Sequence, residues 1–90
     1  MIDLAVSAHV VEVIDGDTFK TKKRIRLEGV EAPELNQPGG KEAKEKLESL
    51  ILGKDITYEE KARDEFARIV AQVWVDSLNV NDAMNKFLGK

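Results

Sequence analysis

The chain has 90 residues, enough for one small domain, and we treat residues 1–90 as a single domain. It contains no cysteine, which excludes disulfides and thiolate chemistry, and no apolar run reaches the length of a membrane span. Seventeen acidic and fourteen basic side chains give a net charge of -3, which argues against strong nonspecific binding of nucleic acid. Residues 1–13 lack a signal-peptide pattern, so we expect a cytoplasmic location unless a leader has been removed.

Three strands are predicted at the start of the chain. Apolar residues within 6–14 indicate one mostly buried strand that ends at Asp15. Weak alternation over 18–21 predicts a second strand, and residues 22–23 would form a tight connection. Clear alternation over 24–28 predicts a third strand, in which every second side chain faces the core and Arg26 points to the other side.

The rest of the chain predicts a helix, two strands and a short helix. Helical periodicity runs over 41–52 and ends at Gly53. Strands are expected over 55–60 and 68–75, with a polar turn over 61–65 between them, and Asn79 would cap the last helix. This order predicts an α+β, mainly β fold. It is compatible with a five-stranded OB-type barrel that has a helix after strand three and a short C-terminal helix.

Two short segments concentrate the polar groups that a metal-dependent phosphodiesterase needs. Such an enzyme uses oxygen ligands for a hard cation, a base for water and a guanidinium for phosphate. The residues that supply these groups are Asp15, Asp17, Arg26, Glu31 and Glu34. Each residue also has an ordinary interpretation, as part of an Asp-Gly turn, as an exposed loop acid or as a surface arginine.

Five motifs in order resemble the staphylococcal nuclease-like family, also called thermonucleases. They are IDGDT at 14–18, RLEGVEAPE at 26–34, GKEA at 40–43, DEFARIVA at 64–71 and VNDAM at 80–84. Each motif alone is weak, but the five together are specific and cover nearly the whole chain. The resemblance implies an OB-type barrel and a calcium-dependent nuclease (cofactor Ca2+) that hydrolyses phosphodiester bonds of DNA or RNA.

The same resemblance implies a metal site. Asp17 matches the first metal carboxylate, and Glu31 stands where the family has its second, usually Asp. Ala32 matches a residue that contributes its backbone carbonyl. Asp15 matches an acid that lies beside these ligands.

The resemblance also implies the groups that act on the substrate. Glu34 matches the proposed general base, which would take a proton from the attacking water. Arg26 and Arg68 match the two arginines that hold the scissile phosphate, a role suited to forked guanidiniums. As an isolated residue, Arg68 is better interpreted as the polar start of a strand, and only the combination of motifs favours the phosphate-binding role.

Several positions depart from the family pattern. Glu31 adds a methylene to the usual Asp, Ala67 replaces a Gly, Phe66 replaces a Tyr, and Glu65 is acidic where the family is often basic. A Cβ at position 67 would strain the turn if its φ angle is positive. The family's later segment, with its stacking tyrosines, does not follow Leu88, which predicts weaker nucleotide binding. These departures favour an alternative, a non-catalytic module of the same fold that binds nucleic acid or protein.

The remaining notable residues have simpler interpretations. We expect structural roles for His9 and Trp74. Met84, Phe87 and Leu88 lie on one face of the last helix, and an exposed patch there would allow a homodimer through that helix.

Overall fold

The computed structural model describes residues 5–90, so residues 1–4, which carry part of the signal-peptide argument, lie outside the described residues. Within this range the chain forms seven strands and two helices. In chain order they are β1 (Val6–His9), β2 (Glu12–Asp15), β3 (Thr18–Lys20), β4 (Arg24–Leu27), α1 (Gly40–Ile51), β5 (Asp55–Arg63), β6 (Ile69–Val75), β7 (Leu78–Asn79) and α2 (Val80–Phe87). This architecture confirms the predicted α+β, mainly β, OB-like fold.

All seven strands belong to one curled sheet. Six of them follow the order β1-β5-β6-β4-β3-β2, and β7 pairs with β6. The β4–β6 pair is parallel, whereas the other pairs are antiparallel. The two ends of this order are joined by the chain itself, since Val10 N–H donates to the Lys54 carbonyl at 3.0 Å and Val11 N–H donates to the Lys20 carbonyl at 2.9 Å.

The prediction of five strands was wrong in three details. The single strand expected over 6–14 is divided at Val10 and Val11, because the chain leaves β5 there and begins to pair with β3. β5 continues to Arg63 through the segment predicted as a turn, with an irregularity between Glu60 and Ala62 that keeps it paired to β6. β7 is a two-residue strand that the alternation pattern does not reveal.

The core lies on one face of the sheet, under α1 and α2. Ile25 and Leu27 are fully buried, as predicted from their alternation with Arg26. The other large side chains that are fully buried are Phe19, Leu47, Ile51, Ile56, Ile69 and Met84 among others. No helix within residues 5–90 is long and apolar enough to cross a membrane.

The exposed patch predicted on α2 is largely absent. Met84 is fully buried and Leu88 packs against the core, because α2 turns this face toward the sheet. Phe87 alone of the three is exposed. A hydrogen bond of 2.8 Å joins His9 Nδ1 and Asp55 Oδ1 across the β1–β5 pair. Trp74 is half-buried on β6.

Asn81 joins α2 to the parallel pair. It is buried, and its Nδ2 donates to the carbonyls of Glu28 and Ala71 at 2.9 and 3.0 Å. Its Oδ1 accepts from Val73 N–H at 2.9 Å. The β4–β6 pairing has only three residue pairs, so this amide bonds to the backbone on both sides of the point where the short ladder ends.

We predict that Asn81→Ala lowers the free energy of unfolding by about 2–4 kcal/mol, because it leaves buried backbone groups without partners. Urea unfolding measures this loss. Asn79→Ala is the matched control, since that side chain caps α2 through Asp82 N–H at 2.8 Å and its removal should lower stability by only about 1 kcal/mol. Equal losses in the two variants would contradict a special role for Asn81.

Candidate functional site

Asp17 lies at the centre of the predicted site. Its side chain is almost completely buried just before β3, where Oδ1 accepts from Thr18 Oγ1 at 3.0 Å. Its Oδ2 accepts from Ala32 N–H at 3.1 Å. The carboxylate therefore ties the turn between β2 and β3 to the loop that follows β4.

Arg26 extends from β4 toward the same loop. Its Nη2 lies 3.0 Å from Glu31 Oε1 and 3.7 Å from Asp17 Oδ2, and it donates to the Val30 carbonyl at 3.2 Å. The guanidinium thus bridges the two acids that were predicted as metal ligands.

Arg68 is held by its own turn. Its Nε donates to Asp64 Oδ2 at 2.7 Å, and its Nη1 donates to Thr18 Oγ1 at 3.4 Å. Asp64 Oδ1 also accepts from the N–H groups of Phe66 and Arg68, at 2.9 and 3.0 Å. Ala67 has a φ angle of 62°, so this turn contains the positive φ that is strained for a residue with a Cβ.

Strand register explains why these side chains meet. Thr18 pairs with Arg26 across β3 and β4, and Arg26 pairs with Val70 across β4 and β6. Arg68 precedes Val70 by two residues, so the two share one face of the sheet. The structure therefore brings Asp17, Arg26 and Arg68 together on the face opposite the core.

Sequence reasoning missed two residues in this arrangement. Thr18 links Arg68 to Asp17, and Asp64 fixes the orientation of Arg68. The Asp-x-x-x-Arg spacing at a turn was the available signal for Asp64, since an aspartate at the start of a turn commonly accepts from the following N–H groups.

Glu34 lies on the neighbouring loop with an exposed side chain. Its N–H donates to Gln37 Oε1 at 2.9 Å, and its carbonyl accepts from Gln37 N–H at 2.9 Å. Gly40 packs so closely that a Cβ there would overlap the Glu34 carbonyl. The structure thus fixes the Glu34 backbone, and within residues 5–90 its carboxylate makes no hydrogen bond to the other predicted site residues.

A small-residue contact holds α1 against the Asp17 turn. A Cβ built on Gly16 would lie 2.5 Å from the Ala43 Cβ and 2.8 Å from the Ala32 Cβ. Because real Cβ atoms do not approach this closely, position 16 has no room for a side chain. The motif IDGDT therefore needs its glycine for packing.

Two carboxyl groups are crowded beside this turn. Burial raises the pKa of Asp15, and the nearby carboxylate of Asp17 raises it further. Asp15 Oδ1 also accepts from Asp17 N–H at 3.1 Å, which opposes the rise. A cation near the pair would stabilise its ionised form.

The predicted metal ligands are near one another but are not arranged as a cluster. Among residues 5–90, no group of three or more His, Cys, Asp or Glu side chains is close enough to hold a metal ion. Asp17 and Glu31 are bridged by Arg26, and Ala32 contributes its N–H to Asp17. The donor set, two carboxylates and a carbonyl with a third carboxylate beside them, nevertheless has the chemistry that hard cations prefer.

Comparison with known proteins identifies similar chains. The family model described as "Staphylococcal nuclease homologue" matches residues 24–87. An uncharacterized endonuclease of Escherichia coli is 38% identical over 85 residues, which are 88% of this chain and 56% of that protein. An uncharacterized endonuclease of Haemophilus influenzae is 33% identical over 86 residues, 89% of this chain and 48% of that protein.

A plant protein is similar as well. The rice (Oryza sativa subsp. japonica) protein named "Probable staphylococcal-like nuclease CAN2" is 34% identical over 77 residues, which are 86% of this chain and 21% of that protein. The chain therefore spans 56% of the E. coli relative and a smaller share of the other two.

We predict that Gly40→Ala displaces the Glu34 backbone and lowers the free energy of unfolding by about 1–3 kcal/mol, because the added Cβ overlaps the carbonyl. Amide NMR shifts of Glu34 and Gln37 and urea unfolding measure the two effects. Gly53→Ala is the control, since Gly53 has φ of 73° but no atom within 4 Å of an added Cβ. It should lose stability through its φ angle while the Glu34 and Gln37 shifts stay unchanged, and the opposite pattern would contradict this packing argument.

A pH dependence follows from Asp64. Desolvation acts to raise the pKa of Asp64, but the hydrogen bonds from Arg68 and Phe66 and the charge of Arg68 outweigh it, so the pKa is lowered. A lowered folded-state pKa contributes stability above the unfolded value of 3.8, and this contribution is lost as the pH falls through the folded value. We predict that wild type is more stable than Asp64→Asn at neutral pH and that the difference shrinks below about pH 4. Urea unfolding at a series of pH values measures this difference in stability, and Asp76→Asn at an exposed turn is the control. A stability difference between wild type and Asp64→Asn that does not depend on pH would refute the assignment of a lowered pKa to Asp64.

Proposed function

Because the chain belongs to the staphylococcal nuclease homologue family, as its motifs predicted, we propose that it is a calcium-dependent nuclease that hydrolyses phosphodiester bonds of DNA or RNA. One observation carries the proposal. A continuous series of polar contacts runs from Arg68 through Thr18 and Asp17 to Arg26 and Glu31. It joins both predicted phosphate-binding arginines to both predicted metal acids, although these residues come from three separate segments of the chain.

The two arginines would hold the scissile phosphate. Asp64 binds the Nε side of Arg68, so the tip of that guanidinium is directed toward Thr18 and the centre of the site. Arg26 lies on the other side of Asp17, with only 19% of its side chain exposed. Guanidiniums on two sides of a phosphate match the additional charge that develops on its oxygens in the transition state.

The chemistry of the donor set suits a calcium ion. Asp17, Glu31 and the Ala32 carbonyl would hold it, and Asp15 adds negative charge beside them. Calcium accepts six to eight oxygen ligands, so three protein ligands leave positions for water and for a phosphate oxygen. When bound, the ion would neutralise the phosphate and polarise its phosphorus.

Glu34 would act as the general base. Its side chain is exposed and therefore accessible to water, while Gln37 and Gly40 hold its backbone. Taking a proton from the attacking water is a role typically worth about 10²–10⁴-fold in rate.

A second candidate is a binding module without catalysis. The observation that favours it is the Arg26–Glu31 ion pair. In this pair the predicted phosphate-binding arginine and a predicted metal ligand bind each other instead of a phosphate and a metal ion. Such a protein would bind nucleic acid or another protein through the same face and would not need Glu34.

Cleavage of single-stranded DNA separates the two candidates. We predict cleavage in calcium, its loss in EGTA, a fall of about 10²–10⁴-fold in Glu34→Gln and a comparable fall in Arg68→Ala. The matched controls are Glu45→Gln and Arg63→Ala, which remove one exposed charge of each sign outside the site and should retain wild-type rates. A folded wild type that cuts neither DNA nor RNA would contradict the nuclease and favour the binding module.

A further inference from the structure

Four cations outside the site form a group that we call the basic stripe. They are Lys20, Lys22, Lys23 and Arg24, and all four are exposed. In the part of the chain that the structure describes, none of the four belongs to a salt bridge within 4.0 Å, whereas Arg26, Arg63, Arg68 and Lys61 are all paired. The chain as a whole carries -3, so this concentration of unneutralised positive charge is local.

The stripe continues the site along β3 and β4. Lys20 pairs with Arg24 in the same register that pairs Thr18 with Arg26. Arg24 and Arg26 are two residues apart and so lie on one face, about 7 Å from each other. Ile25, between them, is buried on the opposite face.

Arg24 is also close to the level of Arg68. The parallel register sets Ile25 opposite Ile69, so the residues that precede them, Arg24 and Arg68, are adjacent across the β4–β6 pair. Glu12 pairs with Lys20 from the β2 side and bounds the stripe there with a negative charge. An anionic chain leaving the site is therefore favoured along β4, away from β2.

The stripe ends at a groove. Lys22 and Lys23, at the hairpin tip, line a depression of about 610 Å³ together with apolar side chains of the first strands. Val6 and Val11 in this lining are 48% and 60% exposed. Cations beside exposed apolar surface suit a nucleotide, since the phosphate meets the lysines while an unstacked base covers the apolar side chains.

We propose that the basic stripe is a second binding surface for single-stranded nucleic acid and guides the strand from the scissile phosphate to the hairpin tip. The negative phosphates of a nucleic acid complement the positive charge of the stripe. The groove favours single strands because a base that is paired inside a duplex cannot enter it. Arg24 and Arg26 are about 7 Å apart along β4, and Lys22 lies beyond Arg24 at the hairpin tip. Even a fully extended connection from Arg26 to Lys22 would reach at most about 13 Å, so the stripe accommodates about two to four stacked nucleotides at 3.4 Å each. The inference rests on the proposed function because that function identifies the ligand as nucleic acid, but it does not require that the protein cleaves it.

Binding of labelled oligonucleotides in EDTA tests the proposal without cleavage. Wild type, Lys22→Gln/Lys23→Gln and the control Lys44→Gln/Lys86→Gln, which removes the same charge from α1 and α2, are compared by fluorescence anisotropy with a single-stranded decanucleotide and a dinucleotide. We expect the tip variant to bind the decanucleotide about fivefold more weakly. We also expect its salt dependence, the slope of log K against log salt, to be shallower by about 1.4. Binding of the dinucleotide should be unchanged, and thermal unfolding verifies that both variants are folded.

A variant closer to the candidate site provides a second test. Arg24→Gln should weaken binding of the dinucleotide as well as of the decanucleotide, because this residue lies beside Arg26 and Arg68. An unchanged salt slope in the tip variant, or an equal change in the control, would overturn the stripe. Wild type that binds the decanucleotide no more tightly than the dinucleotide would also overturn it, while calcium-dependent cleavage would still stand as the separate test of the nuclease.

Discussion

The parallel pairing of β4 with β6 is the constraint on which the site depends. It is the only arrangement in the described sheet that sets Arg26 and the turn before Ile69 side by side, and it consists of three residue pairs. So short a ladder gives little cooperative stability of its own. Glu28 N–H extends it by donating to the Ala71 carbonyl at 2.9 Å, and Asn81 then bonds to both of these residues. The position of two arginines from distant segments therefore rests on one buried amide in α2, an element that contributes no group to the chemistry.

The site has a fixed side and an exposed side. Asp17, Thr18, Arg68 and Asp64 are each restrained by at least one hydrogen bond between their side chains, and Asp17 is almost completely buried. Glu31, in contrast, has 77% of its side chain exposed, and the Glu34 carboxylate is exposed as well. The groups proposed to meet a phosphate in one orientation are thus preorganised by the sheet. The groups proposed to exchange ligands or protons with solvent are on the loop after β4.

Features of the fold and the site that depend on contacts between residues close in the sequence could be predicted, whereas features that depend on contacts between distant residues could not. The alternation around Arg26 and the periodicity of α1 are local, and both predictions were confirmed. The division of the first strand at Val10 could not be predicted, because the apolar pattern is the same whether the chain pairs with β5 or with β3. Thr18 was missed because its contact with Arg68 joins residues that are distant in the sequence. Asp64 was missed although its contacts are local and its turn chemistry was visible. The positions assigned to metal binding and catalysis came from the family resemblance, because carboxylates in loops have no distinguishing pattern of their own.

The Arg26–Glu31 pair connects the two candidate functions. Glu31 is mostly exposed, and ion pairs between exposed side chains typically contribute only about 0–1 kcal/mol. A divalent cation on the carboxylate and a phosphate on the guanidinium would each replace this contact with a stronger one, so the pair presents a small barrier to binding. In the absence of both ligands, it keeps Arg26 neutralised and beside Asp17, where we propose that the phosphate binds. The longer acid at position 31 is therefore compatible with a nuclease. It holds the Arg26 guanidinium in place, while the carboxylate stays able to bind a cation and the guanidinium stays able to bind a phosphate.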